Sequence, residues 1–406
     1  RVLDYMESYV VVGAGQAGGR AVEAMRASGF EGRIDLIGAE PHLPYERPPL
    51  SKELLTEDAP FELMHDDAWY AEKNITLHLG APATAIDRSA KRVTVGESQV
   101  LAYDKLLLTT GGTVRKLDID GAALKGVEYL RTIEESRAIG SMLDEGARIV
   151  VVGGGFIGLE IAASARKRGC DVIVLEAADR LMGRALPPEI GQAYEALHRG
   201  KGVDIRLDTA IDRIEGTGSV EAVVTSAGDR IAADGVVVGI GIDPDTALAA
   251  AAGLEVADGI VVDEYCRTSD PAIYAAGDAT DHPNPFAGRR LRLESWQNAQ
   301  NQGIAAANNM CGADTPFAEV PWFWSDQYDV TLQIAGLNLG FDRVVKRVAG
   351  PAISHWYFRG DQFVSVDAIN DPRAFQVAKR LLEKGKSPSD ELIREVANDL
   401  KILLKN

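Results

Sequence analysis

The stretch Tyr9-Val-Val-Val-Gly-Ala-Gly-Gln-Ala-Gly18 decides the fold. Apolar residues form a short buried strand, and three glycines follow with the spacing Gly-x-Gly-x-x-Gly. A helical pattern covers residues 20–28, and a second apolar strand over 33–40 ends at Glu40. Strand, glycine-rich turn, helix, strand and terminal carboxylate in this order are typical of a dinucleotide-binding βαβ unit.

The same pattern occurs a second time, in Ile149-Val-Val-Val-Gly-Gly-Gly-Phe-Ile-Gly158, with a helix over 159–168 and a strand over 171–176. In each copy the first glycine makes the tight turn, the second lets a pyrophosphate approach the backbone, and the third lets helix and strand pack closely. These glycines are Gly13, Gly15 and Gly18 in the first copy and Gly153, Gly155 and Gly158 in the second. Two copies predict two different dinucleotides, and FAD with a nicotinamide is the natural pair because hydride passes between them.

The carboxylates at the ends of the second strands predict ribose recognition. Glu40 and Glu176 each follow their first glycine by somewhat over 20 residues, as the pattern requires. A carboxylate at this position repels a 2′-phosphate, so Glu176 favours NADH over NADPH.

Composition restricts the protein class. The 406 residues include 43 Lys and Arg against 60 Asp and Glu, a net charge of −17, and 46% are hydrophobic. These values predict a soluble globular protein of two or three domains and argue against a nucleic-acid or anionic-membrane binder. Apolar runs such as 236–242 are too short to span a bilayer, and residues 1–9 show no hydrophobic targeting segment, so we expect a cytoplasmic protein without a membrane span.

Cysteine usage restricts the chemistry. Cys170, Cys266 and Cys311 lie far apart and form no metal-ligand pattern, so we predict no metal site and a reducing compartment. Three scattered cysteines cannot supply the four thiolates of an iron–sulfur cluster.

The order of elements predicts an α/β protein with two Rossmann-like domains and a C-terminal α+β domain. We expect a discontinuous FAD domain (1–113 and 244–320), an inserted NAD domain (114–243) and a C-terminal interface domain (321–406). In the last of these, the predicted strands cover 331–335, 344–348, 353–358 and 363–366, and the predicted amphipathic helices cover 375–384 and 391–404.

Several further segments carry a family resemblance. They are Arg47-Pro-Pro-Leu-Ser-Lys52, Tyr103-Asp-Lys-Leu-Leu-Leu-Thr-Thr-Gly-Gly112, Tyr129-Leu-Arg-Thr132, Thr268-Ser-Asp-Pro-Ala-Ile-Tyr-Ala-Ala-Gly-Asp278 and Pro321-Trp-Phe-Trp-Ser-Asp-Gln-Tyr328. Together with the glycine motifs, these segments resemble the NADH-dependent, FAD-containing ferredoxin reductases of oxygenase systems, which share a glutathione-reductase-like fold with two dinucleotide sites. The resemblance extends from about residue 9 to about residue 363.

The resemblance implies a set of cofactor contacts. For FAD these are Gly13, Gly15, Ala17, Gly18, Glu40, Arg47, Lys52, Ala83, Arg131, Asp278, Trp296 and Trp324. For NAD they are Gly153, Gly155, Ile157, Gly158, Glu160, Glu176 and Arg184. Trp296 and Trp324 are expected to flank the isoalloxazine, whereas Trp322 fits core packing equally well.

Two of these residues are the predicted catalytic residues. By resemblance, Lys52 lies near flavin N5 and Glu160 lies near the nicotinamide, and a cation beside the flavin stabilises negative charge on its reduced form. The alternative is that Lys52 and Glu160 form only an ion pair that joins the domains.

The resemblance also implies the electron acceptor. Related disulfide reductases carry a C-x-x-x-x-C pair beside the flavin, but residues 48–55 contain no cysteine, which excludes thiol chemistry there. Electrons then leave from the flavin to a separate [2Fe–2S] ferredoxin that supplies a cytochrome P450 or a ring-hydroxylating dioxygenase. The protein is expected to be a monomer or a weak homodimer.

A ferredoxin is acidic, so docking needs local basic residues despite the net charge of −17. The candidates are Arg289, Arg290, Arg292, Arg343, Lys346, Arg347, Lys379, Arg380, Lys384 and Lys386. Three alternatives remain open: a rubredoxin reductase, an NADH oxidase-type flavoenzyme, and a redox-sensing interaction protein like the apoptosis-inducing factors.

Overall fold

The computed structural model describes residues 6–57, 59–397 and 399–405. The expectation for residues 1–9 therefore lies partly outside the described residues. The first part of the chain forms β1 (Ser8–Val12), α1 (Gln16–Ala27), β2 (Arg33–Gly38), α2 (Glu53–Thr56), α3 (Asp67–Glu72), β3 (Ile75–Leu79), β4 (Ala83–Asp87), β5 (Arg92–Val95), β6 (Gln99–Ala102), β7 (Lys105–Leu108) and β8 (Gly112–Val114), with a 3₁₀ turn at Pro48–Ser51 before α2.

The second part contains the second glycine motif. Its elements are β9 (Val127–Tyr129), α4 (Ile133–Gly140), β10 (Arg148–Val152), α5 (Phe156–Lys167), β11 (Asp171–Leu175), α6 (Pro188–Gly200), β12 (Asp204–Arg206), β13 (Ile211–Glu215), β14 (Ala222–Thr225), β15 (Arg230–Ala232), β16 (Gly235–Val238) and β17 (Ile242–Pro244). Its parallel sheet has the strand order β12-β11-β10-β16-β9.

The third part returns to the first sheet. It comprises α7 (Ala247–Ala251), β18 (Ile260–Val261), β19 (Ile273–Ala275), β20 (Thr280–Asn284), β21 (Arg289–Leu291) and α8 (Trp296–Met310). β19 joins the first parallel sheet, whose order is β19-β7-β1-β2-β3. One sheet is thus built from two separated parts of the chain, and the second sheet is formed by the segment between them. The residue limits of the domains stay a prediction.

The glycine turns explain why these sequences form βαβ units. Gly13 has φ +111°, which side chains rarely tolerate. A Cβ atom on Gly18 would lie 1.8 Å from the carbonyl oxygen of Gly13, and one on Gly158 would lie 2.2 Å from that of Gly153. The third glycine of each motif is therefore required for the helix to approach the turn.

The C-terminal part forms an antiparallel sheet in the order β22-β23-β26-β25-β24. Its elements are β22 (Trp322–Gln327), β23 (Val330–Gly336), β24 (Arg343–Ala349), β25 (Ala352–Arg359), β26 (Gln362–Ile369), α9 (Pro372–Glu383) and α10 (Asp390–Arg394). Ala335 and Val366 pack beneath α9, whereas Leu332 joins the core of the second parallel sheet. The C-terminal sheet is thus packed directly on the second dinucleotide-binding unit.

One expectation for this region was wrong, and one strand was not predicted. The predicted helix over 391–404 is divided: α10 ends at Arg394, and a separate 3₁₀ turn covers Leu400–Leu404. The Asp399 side chain accepts a hydrogen bond from the backbone of Lys401, which starts the new turn. The sequence prediction also missed strand β22, because its tryptophans and polar residues lack a clear apolar alternation. Among the described residues, no helix is both long enough and apolar enough to cross a membrane.

Candidate cofactor site at the junction of the two glycine-motif units

The two glycine turns leave open space in front of helix N-termini. α1 and α5 begin after Gly15 and Gly155, and neither receives a side-chain cap, so their first N–H groups are available. A Cβ atom on Gly15 would meet only Arg47 Nη2, at 3.9 Å, and one on Gly155 would meet nothing within 4 Å. Free N–H groups beside open space fit a dinucleotide pyrophosphate at each turn.

The predicted ribose ligand of the first unit is held by two neighbours. Arg47 Nη2 lies 2.5 Å from Glu40 Oε1, and the Tyr45 hydroxyl donates to Glu40 Oε2 at 2.6 Å. Burial raises the pKa of Tyr45, which keeps it protonated and donating. Arg47 also donates to the carbonyl of Arg131 at 2.5 Å, so the predicted residues Glu40, Arg47 and Arg131 are brought together.

The segment before Ala83 lies beside Glu40. The backbone N–H of Gly80 donates to the carbonyl of Glu40 at 3.0 Å, and that of Ala81 donates to Gly38 at 3.2 Å. These bonds place the start of β4, and with it Ala83, on the Glu40 side of the first sheet.

Asp278 and Ala17 lie where α8 approaches α1. Asp278 pairs with Arg131 Nη2 at 3.4 Å, and burial raises the pKa of Asp278 while Arg131 opposes the rise. A Cβ atom on Gly303 of α8 would lie 2.4 Å from the carbonyl oxygen of Ala17, so this glycine permits the close packing of the two helices. A Cβ atom on Gly277, the neighbour of Asp278, would lie 3.2 Å from Ala17 Cβ, so Asp278 lies beside the start of α1.

Three tryptophans form a cluster beside these groups. The Trp296 and Trp324 rings meet edge to face with centroids 5.6 Å apart, and Trp296 Nε1 donates to Glu46 at 2.5 Å. Trp322 lies 5.8 Å from Trp324 and 5.8 Å from Phe375 of α9. Trp322 thus connects the cluster to the core of the C-terminal sheet, as the packing interpretation expected.

Glu160 on α5 contacts both the segment after β2 in the first glycine-motif unit and the first strand of the C-terminal sheet. It is 3% exposed and accepts three hydrogen bonds: from Lys52 Nζ at 3.0 Å, from Ser51 at 2.5 Å and from Ser325 at 2.8 Å. Lys52 also donates to the carbonyl of Pro48 at 3.2 Å. A carboxylate so deeply buried is retained only with such partners. The structure therefore joins the two predicted catalytic residues, and their catalytic role stays a prediction.

The second unit presents its predicted nucleotide contacts around the other turn. Glu176 accepts from the backbone N–H groups of Gly154 at 2.7 Å and Ala178 at 2.8 Å, which fixes its carboxylate at the end of β11. Ile157, at the start of α5, is 46% exposed, an unusual position for a large apolar side chain. Arg184 is exposed, and its Nη1 lies 3.8 Å from a Cβ position on Gly241, just beyond β16.

Arg115 was missed by the sequence analysis. Its Nη1 lies 3.4 Å from the same Cβ position on Gly241, and its Nε pairs with Asp243 at 2.7 Å. Arg115 and Arg184 thus approach one backbone position from segments far apart in sequence. The pairing of β8 with β17 and the hydrogen bond from the Arg115 backbone N–H to the carbonyl of Gly241 bring Arg115 there, and no local pattern predicts that pairing.

Comparisons with known proteins agree with this geometry. Residues 7–303 match the profile of the pyridine nucleotide-disulphide oxidoreductases, and residues 322–404 match that of the reductase C-terminal domain. The chain belongs to the pyridine nucleotide-disulphide oxidoreductase family.

Relatives in this family cover the whole chain. The chain is 43% identical to the ferredoxin–NAD(+) reductase component of the anthranilate 1,2-dioxygenase system of Burkholderia cepacia, over 98% of this chain and 99% of the relative. It is 42% identical to rhodocoxin reductase of Rhodococcus erythropolis, over 98% and 94%. The crystal structure of the covalent putidaredoxin reductase–putidaredoxin complex aligns with a TM-score of 0.95 at 38% identity, over 98% of both chains.

In this member of a family named for disulfides, all three cysteines, Cys170, Cys266 and Cys311, are free thiols. Cys170 and Cys266 are buried free thiols, and burial raises the pKa of Cys266 to about 12. The described residues of the 48–57 segment, which leads to Lys52 and α2, contain serine and lysine but no cysteine.

The prediction of an exposed docking residue is wrong at Arg347. Arg347 is 6% exposed and donates to the carbonyls of Ile393 at 2.8 Å and Glu395 at 2.9 Å, so it holds α10 against the sheet. Arg292 has a side chain only 10% exposed, with carboxylates of Asp258 and Glu294 beside it. The exposed members of the set are Arg289, Arg290, Lys346, Arg380, Lys384 and Lys386.

Proposed function

We propose that this chain is an NADH-dependent ferredoxin reductase with bound FAD, which reduces a separate [2Fe–2S] ferredoxin serving a cytochrome P450 or a ring-hydroxylating dioxygenase. The observation that carries the proposal is the junction itself: two open glycine turns in one chain, with the Lys52–Glu160 pair where the units meet. The names of the relatives, which include reductases of oxygenase systems, give it its acceptor class.

Different residues are proposed to bind each of the two dinucleotides. The N–H groups after Gly15, the guanidinium of Arg131 and the carboxyl group of Asp278 would hold FAD, and the N–H groups after Gly155 would hold NADH. Bound FAD takes two electrons as hydride and can release them singly, which a nicotinamide cannot do. Glu176, fixed by two backbone N–H groups, disfavours a 2′-phosphate and so selects NADH.

Lys52 supplies a fixed positive charge at the junction. Its side chain is 16% exposed, so its charge is only partly screened by water. The ion pair with Glu160 keeps the ammonium in place without conformational search during turnover. A preorganised cation of this kind favours electron-rich states of a neighbouring cofactor.

A free acceptor fits the remaining features. The tryptophan cluster extends from Trp296 to Trp322, and Lys379 of α9 places its ammonium 5.9 Å from the centre of the Trp322 ring. The cluster thereby reaches a basic position where an acidic ferredoxin can dock. We also propose a cytoplasmic location, because NADH is supplied there, and a monomer or weak homodimer in solution.

The proposal is tested by anaerobic titration of the purified protein with NADH. We expect loss of the flavin absorbance near 450 nm at about one NADH per chain, followed by reoxidation when a [2Fe–2S] ferredoxin is added. A protein that holds no flavin, or a flavin that NADH does not bleach, contradicts the proposal. Faster reoxidation by rubredoxin than by any ferredoxin tested would reassign the acceptor, and slow reduction with a long-lived charge-transfer band would indicate a redox sensor.

A further inference from the structure

A chain of buried polar side chains links Glu160 to the surface of the second dinucleotide-binding unit. From the inside outward, its members are Ser325 and Gln327 on β22, His198 on α6 and Tyr328 in the turn after β22. Ser325 and His198 are 0% exposed and Gln327 is 1% exposed. Buried polar groups form hydrogen bonds with one another because water does not reach them. A donor and an acceptor can therefore be assigned to each of these hydrogen bonds.

The donor and acceptor of each hydrogen bond in this series follow from Glu160. Because Glu160 forms an ion pair with a lysine, its carboxylate is an acceptor. The Ser325 hydroxyl, 2.8 Å from Glu160 Oε1, therefore donates. The Ser325 oxygen then accepts from Gln327 Nε2 at 3.2 Å, which turns the amide oxygen of Gln327 toward His198. His198 Nε2 donates to that oxygen at 2.8 Å, and His198 Nδ1 accepts from the Tyr328 hydroxyl at 3.2 Å.

Two features fit this assignment of donors and acceptors. Burial lowers the pKa of His198, which favours the neutral ring with one donor and one acceptor nitrogen. Tyr328 is the first of the two turn residues between the paired Gln327 and Val330, where a positive φ of +57° is ordinary hairpin geometry. Its ring lies edge-on to His198 with centroids 5.1 Å apart, and its hydroxyl is within hydrogen-bond distance of His198 Nδ1.

We propose that Ser325, oriented by Gln327 and His198, is a positioning residue that holds Glu160 in the rotamer that anchors Lys52. The proposal rests on the proposed reductase function. Ser51 and Lys52 hold one carboxylate oxygen of Glu160, and among the described residues Ser325 alone holds the other, so loss of this hydroxyl frees the carboxylate to rotate. The Gln327 amide has no proton that it readily releases. This series of hydrogen bonds therefore orients the Glu160 carboxylate and does not conduct protons.

Kinetics of matched serine variants test the role. Ser325→Ala removes the donor, Ser325→Thr keeps a hydroxyl, and Ser365→Ala removes a hydroxyl that is equally buried in the same sheet but has no hydrogen-bond partner among the described residues. We expect Ser325→Ala to lower kcat for NADH-to-ferricyanide turnover about tenfold with the KM for NADH little changed, since a hydrogen bond to a charged group is lost. Ser325→Thr should restore most of kcat, and Ser365→Ala should match the wild type. Equal behaviour of Ser325→Ala and Ser365→Ala overturns the proposal.

A second measurement needs neither turnover nor flavin. NMR of the protein with ¹⁵N-labelled histidine should show one neutral imidazole, protonated at Nε2, that does not titrate where an exposed histidine does; His198→Gln assigns the signal. A charged His198 or the opposite tautomer overturns the proposal even if Ser325→Ala does not fold. If NADH does not reduce the flavin of the wild-type protein, the proposed reductase function is wrong. The NMR result still shows which nitrogen of His198 donates in the series of hydrogen bonds.

Discussion

The ammonium of Lys52 lies 3.0 Å from the carboxylate of Glu160, and the two residues belong to different glycine-motif units. Lys52 follows the 3₁₀ turn at Pro48–Ser51, and Glu160 lies on the first turns of α5. One ion pair therefore connects the two units and also places a positive and a negative charge at their junction. The two interpretations of the pair, structural link and catalytic group, are compatible and can be separated by experiment.

Removal of the cation tests the structural part. Lys52→Met leaves the 3%-exposed Glu160 with hydroxyl donors but no positive charge, and we expect a loss of about 3 kcal/mol in the free energy of unfolding. Urea denaturation measures the loss. Lys73→Met is the control, because Lys73 is 40% exposed and pairs only with its neighbour Glu72, so its effect should stay within about 0.5 kcal/mol. Equal effects of the two variants would show that the junction pair is not a stabilising link.

Alanine at the second glycine of each motif should separate the two dinucleotide sites. Gly15 has φ −86° and Gly155 has φ −81°, so alanine fits both backbones, and open space surrounds both Cβ positions. We expect Gly15→Ala to lower the flavin content of the purified protein. Gly155→Ala should keep the flavin and raise the KM for NADH about tenfold or more, because the methyl group occupies the pyrophosphate position.

Neither substitution should destabilise the apoprotein, since alanine restricts the unfolded chain. Gly200→Ala is the control: Gly200 also has nothing within 4 Å of its Cβ position, but it lies at the end of α6. Loss of flavin from the Gly155→Ala protein, together with normal flavin content and a raised KM for NADH in the Gly15→Ala protein, would reverse the assignment of the two sites.

The sequence predicted those parts of the protein whose pattern is local. Both βαβ units follow from consecutive strand, glycine and helix signals, because Gly18 and Gly158 have an immediate steric reason within their own motif. The C-terminal strands also follow from alternation. The division of the predicted helix at residues 391–404 could not be foreseen from the apolar pattern. Ile393, Leu400 and Leu403 are buried in the divided segment, and their spacing also fits one continuous amphipathic helix.

The site residues that the sequence missed depend on contacts between distant segments. Ser325 reaches Glu160 across 165 positions, and Arg115 reaches Gly241 only through the pairing of β8 with β17. Arg347 illustrates the converse. A cluster of basic residues predicted an exposed surface, but strand alternation turns Arg347 inward to bind backbone carbonyls. The face on which a charged side chain lies depends on register, which composition does not reveal.

Ferredoxin turnover should depend on salt and on Lys379, whose side chain borders Trp322. We expect ferredoxin turnover to fall as ionic strength rises while ferricyanide turnover barely changes. Lys379→Glu should raise the KM for ferredoxin several-fold without altering ferricyanide turnover. Lys125→Glu, the same charge change at an exposed residue of the second unit, is the control. Equal salt sensitivity of the two acceptors would contradict electrostatic docking.

A buried carboxylate in the C-terminal sheet should make stability depend on pH. Asp367 is 0% exposed, and burial raises its pKa to about 7, although a 2.6 Å hydrogen bond from Tyr357 opposes the rise. Between pH 4 and pH 7 the unfolded chain releases this proton while the folded protein keeps it. The contribution of Asp367 is therefore fully present below pH 4 and is lost as the pH rises through 7.

Asp367→Asn isolates this contribution, because the amide is neutral at every pH and can still accept from Tyr357. The variant does not lose this contribution at high pH. Its stability relative to the wild type should therefore be about 3 kcal/mol greater at pH 8 than at pH 5, since about two pH units of differential proton binding are removed. Urea denaturation at the two pH values measures the difference, and other titrating groups cancel because they are common to both proteins. A difference that is the same at pH 5 and pH 8 would show that Asp367 is already ionised in the folded protein at the lower pH.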